Sequence, residues 1–336
     1  MEKAREVLVI GGNRYFGKRL IARLLAAGDR VTVLNRGSAP PPAGAGHLVA
    51  DRDDETALRA ALGTRRFDVV VDQVCYTPRQ ADTAVRVFGG TDPTAPGPRT
   101  GRYLMTSTVE VYEYEDSIAP VRETDVDPRD ITVDLELPWD DEEFREAHYG
   151  EGKRQAEAVF AAAGERGALP WASVRVAHVL GGADDFTGRL THYADRVRVG
   201  APVAVPRVNR PATYIHVEEI ADFLYWAAGQ EFTGPLNAAS HQALTTEDLC
   251  EAVAAHLPGG EVVLREVEVG EVSPFAFRRA YPMDNSRAVR LGFGFGHSRR
   301  WLARAVAETL GAVETTGALG ASGAVEAAES AGVPCR

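Results

Sequence analysis

Tyr149 and Lys153 stand four residues apart in Tyr149-Gly150-Glu151-Gly152-Lys153, at the head of a segment with helical periodicity. On a helix the two share one face. An ammonium beside a phenol favours the phenolate and lowers its pKa toward the working pH, which makes Tyr149 a candidate general acid/base. A hydroxyl to hold a substrate oxygen against it is offered by Thr108 or Ser107, at the end of the apolar run that leads into Thr106-Ser107-Thr108-Val109-Glu110.

A second cluster lies near the start of the chain, in Val9-Ile10-Gly11-Gly12-Asn13-Arg14-Tyr15-Phe16-Gly17-Lys18. Gly11 follows a strand-like run and Gly17 opens a helix. Gly11 allows a tight turn, Gly17 allows close approach of helix and strand, and the exposed N–H groups of the turn face an anion such as a pyrophosphate. Arg14 stands where such turns usually carry their middle glycine, and its guanidinium can hold a phosphate bidentately. The second strand ends Leu34-Asn35-Arg36, with no carboxylate for a ribose diol. Arg14 and Arg36 therefore favour NADP(H), with NAD(H) left open, while solvated surface arginines are the alternative. Asp51, after the third strand, falls beside the adenine by the same geometry or is a plain loop residue.

The elements that must carry these groups follow from periodicity. Apolar runs near 6–11, 30–35, 47–50, 68–74 and 102–107 alternate with helical segments near 17–27, 54–62 and 78–88, the pattern of a parallel sheet covered on both faces. Residues 113–148 turn acidic and lose periodicity, which predicts an insert forming a partly ordered cover. A helix near 149–166, a strand at 172–180 and a helix at 187–198 follow. Shorter pieces come after them: strands at 214–216 and 235–237, and helices near 218–228, 245–256, 284–291 and 298–310. The expected class is α/β, a Rossmann-type doubly wound parallel sheet with a smaller mixed C-terminal substrate lobe. Residues 1–181 form mainly the dinucleotide-binding domain and 182–310 mainly the lobe, with some elements returning to the sheet. Residues 311–336, Ala/Gly/Ser/Thr/Glu-rich without an aromatic, predict a disordered tail.

Bulk properties set bounds on partners. With 336 residues and 45% hydrophobic content, the chain is long enough for one large or two fused cores. A net charge of −11 disfavours nucleic acid and anionic lipid. Cys75, Cys250 and Cys335 are odd in number and widely spaced, so neither a disulfide framework nor a zinc site is suggested, and a cytoplasmic setting fits. No apolar run reaches membrane-spanning length. A small-molecule substrate is expected, no metal, and a homodimer is left open. His178, His192 and His216 lack metal-ligand spacing.

The glycine loop, the hydroxyl after the fifth strand and the Tyr-x-x-x-Lys helix, in that order, resemble the extended or atypical short-chain dehydrogenase/reductase superfamily, the NAD-dependent epimerase/dehydratase branch. The Gly-Gly-x-Arg-x-x-Gly form is similar to that of its atypical members. Arg175-Val176-Ala177-His178 looks like the strand and loop behind the nicotinamide, which brings Val176 and His178 to the cofactor, although Val176 stands where the branch usually has Pro. Tyr214-Ile215-His216-Val217 looks like its step into the substrate lobe. Where sugar-nucleotide enzymes of the branch carry a diphosphate-holding Arg, this chain has Ala212, with Arg210 two positions earlier. Thr108-Val109-Glu110-Val111-Tyr112 resembles the dehydratase Thr-Asp-Glu-Val-Tyr, with the base kept as Glu110 and the acid lost to Val109. Glu110 is thus an α-proton base or a solvent-facing carboxylate. Arg278-Arg279 meets an anionic substrate or is a solvated turn.

The resemblance implies an NAD(P)-dependent oxidoreductase or epimerase of a sugar, sugar nucleotide or small hydroxy/keto compound, in which Tyr149 exchanges the hydroxyl proton, Lys153 lowers its pKa and binds ribose, and Thr108 orients the oxygen. The competing readings are a simple NADPH-dependent ketoreductase and, from another class, an RNA-binding or non-catalytic regulatory member.

Overall fold

A computed structural model describes residues 4–90, 97–113 and 118–320, with side chains to Gly311. Its elements are β1 (Glu6–Ile10), α1 (Tyr15–Ala26), β2 (Arg30–Asn35), β3 (Gly46–Val49), α2 (Glu55–Leu62), β4 (Val69–Asp72), α3 (Pro78–Phe88), β5 (Tyr103–Thr108), α4 (Glu142–Ala147), α5 (Tyr149–Glu165), β6 (Trp171–Val176), β7 (His178–Leu180), α6 (Arg189–Val199), β8 (Val203–Pro206), β9 (Tyr214–His216), α7 (Val217–Ala228), β10 (Gly234–Ala238), α8 (Thr246–Ala254), β11 (Leu264–Val267), α9 (Ser286–Arg290) and α10 (Ser298–Gly320).

Seven strands form one parallel sheet in the order β10-β6-β5-β4-β1-β2-β3. The inner strands β4, β5 and β6 are buried at every residue, because helices cover both faces and the Val- and Leu-rich runs have no wet side. α1 and α7 pack together over one face, and α3 and α5 over the other. Leu20, Ile21 and Leu24 of α1 and Phe223 and Leu224 of α7 fill the first core; Ala81, Ala84 and Phe88 of α3 and Phe160 of α5 fill the second. A third core, around Tyr193, Leu249, Phe275 and Leu302, belongs to α6, α8 and α10 and makes the smaller lobe. β10 returns from that half of the chain to the edge of the sheet.

Several expectations change. The strand expected over 172–180 is two strands: β6 stays in the central sheet, while β7 leaves it after Ala177 and pairs with β9. β8 and β11, too short to have shown periodicity, pair with each other. The insert is anchored rather than loosely draped. Val121, Val126 and Trp139 are buried, Val121 bridges Met283, and the segment contributes α4. α10 runs to Gly320, ten residues into the segment expected to be a tail, and residues 321–336 lie outside the described residues. Among the described residues, no helix is long and apolar enough to cross a membrane.

Candidate active site

The carboxyl ends of β1, β4, β5 and β6 open on a cleft of about 1120 Å³ lined by Phe16, Gln73, Thr106–Glu110, Tyr149, Lys153, Val176, His178 and Arg189, among others. Such ends are where parallel α/β sheets place their ligands. β5 and β6 run side by side to Thr108 and Val176, which are paired in register, so the hydroxyl-bearing turn and the wall opposite it are set by one ladder.

The glycine loop has the geometry its sequence demands. Gly11 and Gly12 take φ of +80° and +79°, in the left-handed region that glycine enters at little cost. A Cβ at Gly17 would lie 2.5 Å from Gly12 Cα and would also collide with Gln73 Oε1, so only glycine lets α1 start this close to the loop. The cleft also holds polar atoms that a ligand would satisfy: Gln73 Nε2, Thr106 Oγ1, Ser107 Oγ and His178 Nε2 are buried without a protein partner among the described residues. A strand-to-helix glycine cradle with orphaned donors and acceptors beside it fits a dinucleotide.

Other expected cofactor residues are used differently. Asn13 Nδ2 and Asn35 Nδ2 both donate to Ala39 O, and Asn35 Oδ1 accepts from Gly37 N, so these amides fold the loop after β2, while Asn13 Oδ1 is buried without a partner among the described residues. Arg36 is exposed at the tip of β2 and Arg14 is exposed over the Phe186 ring, 5.8 Å from its centroid. Tyr15 is buried, donates to Gly181 O at 2.6 Å and takes φ +50°. Asp51 accepts from Asp53 N and so shapes its own turn. Its neighbour Arg52 points inward instead, to a buried pairing with Asp72 at 2.6 Å.

Tyr149 and Lys153 share a face of α5, as their spacing requires, but the lysine does not touch the phenol. Lys153 is 1% exposed, donates to Thr106 O at 2.8 Å, and lies 4.5 Å from the Tyr76 ring and 5.7 Å from that of Tyr149. Burial pushes its ammonium down to about 8. Tyr149 itself, 37% exposed to the cleft, has its pKa raised: burial of the hydroxyl is the largest cause, followed by Tyr76, with Glu110 also raising it, while a hydrogen bond with Thr108 and the charge of Arg189 oppose. The expected lowering of the phenol's pKa by Lys153 is therefore not a feature of this geometry.

Glu110 is the second residue of the 3₁₀ turn Val109–Tyr112 after β5, where Glu110 N donates to Thr108 Oγ1, and its carboxylate accepts from Tyr281 Oη at 3.1 Å. Burial raises its pKa; the Tyr281 hydrogen bond and Arg279 act against that. His178, stacked on Phe277 with centroids 4.9 Å apart, is driven down to about 3 by burial and by Arg189 and Arg279, so it stays neutral. Arg278 instead donates to Glu268 O and Gly270 O, and Arg210 engages Phe277 through backbone pairing; neither side chain lines the cleft. His216 caps α7 and pairs with Glu308, and no group of His, Cys, Asp or Glu among the described residues has the arrangement of a metal site.

Sequence reasoning missed Arg175, Glu157 and Arg189. Arg175 is fully buried behind the site: it pairs with Glu157 of α5 at 2.6 Å and donates to Tyr112 Oη and to the carbonyls of Glu123 and Val126. A charge inside the otherwise uncharged strand Trp171–Val176 was the available signal, since a buried arginine must have partners. A model of the family described as "NAD dependent epimerase/dehydratase family" matches residues 7–239, more than half of the chain. The chain belongs to the NAD dependent epimerase/dehydratase family. It is accordingly an enzyme of the short-chain dehydrogenase/reductase type.

Relatives of this epimerase/dehydratase chain are distant. The chloroplast stem-loop binding protein of 41 kDa b from Arabidopsis thaliana is 23% identical over 297 residues, 82% of this chain and 70% of that protein. Among solved structures, UDP-glucose 4-epimerase of Thermotoga maritima, crystallised with UDP-glucose, superposes with a TM-score of 0.67 at 17% identity, covering 92% of this chain and 99% of that one. WbmG of Bordetella bronchiseptica, in complex with NAD and UDP, gives 0.67 at 16% identity, with 94% and 96% covered. These structures share the fold of this chain.

Proposed function

We propose that the protein oxidises and re-reduces a secondary alcohol of a sugar-like small molecule, exchanging configuration through a ketone. The observation that carries the reading is the meeting of Tyr149, Thr108 and a partly desolvated Glu110 at one mouth, across from orphaned polar atoms suited to a dinucleotide. Gly11, Gly12, Gly17 and Gln73 would hold the dinucleotide's phosphates and ribose, and the nicotinamide supplies hydride acceptance and donation. Thr108 Oγ1 orients the substrate oxygen while Tyr149 Oη takes and returns its proton. The raised pKa keeps Tyr149 protonated in the resting protein, ready to donate on the reductive step. Lys153, ammonium at neutral pH beneath Tyr76, supplies the positive charge that a developing phenolate needs once a ligand reorganises this corner.

Glu110 distinguishes chemistry at the neighbouring carbon, epimerisation there or dehydration, from hydride exchange at the carbinol carbon alone. A carboxylate whose pKa is raised by burial, beside a transient ketone, is suited to take the proton from the neighbouring carbon. Val109 is fully buried and supplies no acid, which opposes dehydration. Turnover in deuterated water tests this: deuterium appears at the carbon next to the oxidised centre with wild type and vanishes in Glu110→Gln, while hydride transfer persists. Wild-type product without carbon-bound deuterium would leave Glu110 no α-proton to move and leave hydride exchange at the carbinol carbon as the whole chemistry.

For the cofactor, NADP(H) is the proposed preference, supported by Arg36 at the exposed tip of β2 and by the absence of an acidic residue there. NAD(H) is the second reading, supported by the NAD in the WbmG structure. The name of the Arabidopsis relative raises stem-loop RNA as another ligand class. The net charge of −11 and the assembled Tyr149–Thr108–Glu110 mouth oppose it here.

A further inference from the structure

Arg189 opens α6 at the edge of the cleft, directly after Gly188, whose φ is +65°. Its guanidinium has no hydrogen-bond or ion-pair acceptor among the described residues and lies over the Phe275 ring, 5.2 Å from the centroid. Stacking of this kind leaves the in-plane N–H fork free for an oxyanion. The helix start compounds the charge: Gly188 provides no side-chain cap, the first turn has no acidic residue, and Arg189 N has only a long 3.5 Å bond to Thr187 Oγ1, so the positive end of the helix and a cation stand together. A cation is the sign that a helix N-terminus disfavours, so helix stability does not account for Arg189.

The neighbouring groups are arranged in the same sense. His178 Nε2 and Arg279 Nη2 are buried without a partner among the described residues, while Arg279 Nη1 is held by Tyr112 O. Arg189 acts electrostatically on Glu110, Tyr149 and His178, which places it around the same space as the reacting groups. Glu110, Glu113, Glu146 and Glu271 also line the cleft, and of these Glu113 is neutralised by Arg154. Ala212, at the place where a diphosphate-holding arginine is expected in sugar-nucleotide enzymes, is completely buried in backbone pairing with Leu244 and Tyr281. The positive charge available to a substrate has therefore moved close to the chemistry.

We infer that the substrate carries a compact anionic group, a carboxylate or a monophosphate, seated in the fork of Arg189 beside His178 Nε2 and the start of α6, with its carbinol carbon toward Tyr149. This rests on the oxidoreductase reading above and specifies its substrate class. Calorimetric titration of the full-length protein, saturated with NAD or NADP, against matched probes tests it: glucuronate and glucose, glucose 6-phosphate and glucose. In wild type, at least one charged member binds about ten-fold or more tighter than its neutral counterpart, as a charge-assisted bidentate contact requires. The uronate and phosphate pairs tell the two anions apart. Arg189→Gln reduces the preference to within about two-fold, and Arg189→Lys keeps part of it because the charge remains without the fork. The dinucleotide Kd stays unchanged in both variants, which shows that they are folded. Equal binding of charged and neutral probes, no binding of any charged probe, or a preference that survives in Arg189→Gln overturns the inference. Dinucleotide binding by wild type and the 340 nm absorbance formed with a bound probe report separately on the oxidoreductase reading.

Discussion

Around the glycine loop the chain is backbone with positive φ at Gly11 and Gly12, and Arg14 and Arg36 are exposed; around Thr108 and Tyr149 it is side chains held from behind by Arg175, Glu157 and Tyr112, all buried. The exposed arginines have little to do with folding, so charge there can change without changing the fold. The buried set cannot be altered in this way. Arg175 ties β6 to α5, to the turn that carries Glu110 and to the insert, so the position of the acid/base helix and the stability of the sheet depend on the same atoms.

The contrast breaks first at Tyr149. Tyr149→Phe lowers turnover by about 10³-fold, roughly 4 kcal/mol of barrier, by removing the transferable proton. Its melting temperature and dinucleotide Kd should match wild type; normal turnover would end the proposed acid/base role. Next, Glu157→Ala leaves Arg175 charged, buried and unpaired, which costs about 3–5 kcal/mol of stability. Urea unfolding measures this, and a loss below about 1 kcal/mol would mean that water reaches Arg175 and the two ends are alike.

Arg36→Ala sharpens the other side. It weakens NADPH by about 1.5–3 kcal/mol, leaves NADH nearly untouched, and changes stability by less than about 0.5 kcal/mol. Parallel titrations of both cofactors check it, and an equal loss for NADH would remove the NADP assignment. The smallest effect, taken per pH unit, concerns His178, whose pKa falls from its ordinary 6.5 to about 3 on folding. Between those values the unfolded chain binds a proton that the folded one does not, so stability falls as pH falls, by up to about 1.4 kcal/mol per unit. Urea midpoints at several pH values between 6.5 and 4 should show that slope reduced in His178→Phe.

The sheet was legible because doubly covered strands appear as unbroken apolar runs such as Val7–Ile10 and Val69–Val71. Tyr149 and Lys153 were legible from helical spacing, and Gly17 from its place between strand and helix. The break after Val176 was not, since Val176 and His178 to Leu180 all suit a strand, and only their partners, Thr108 and Ala238 for one and Tyr214–His216 for the other, divide them. Charged residues were the least legible. Glu110 meets Tyr281 across 171 positions and Arg175 meets the insert across about fifty, separations at which no local pattern announces a contact. Asn35 differs in having local partners, the turn that follows it taking its amide.

Asn237, on β10, accepts from Tyr112 Oη, donates through Nδ2 to Val121 O and Asp284 O, and through its backbone N–H to Glu123. Seen as an order of synthesis, this means that the boundary near 181 between cofactor and substrate elements is not a boundary for the growing chain. When β6 leaves the ribosome its outer edge is open, and the insert has Arg175 to close against but not yet Asn237 or Met283. The remaining partners of both lie in residues 234 to 284, so a chain ended at 181 would carry an open apolar strand edge prone to pairing with another copy.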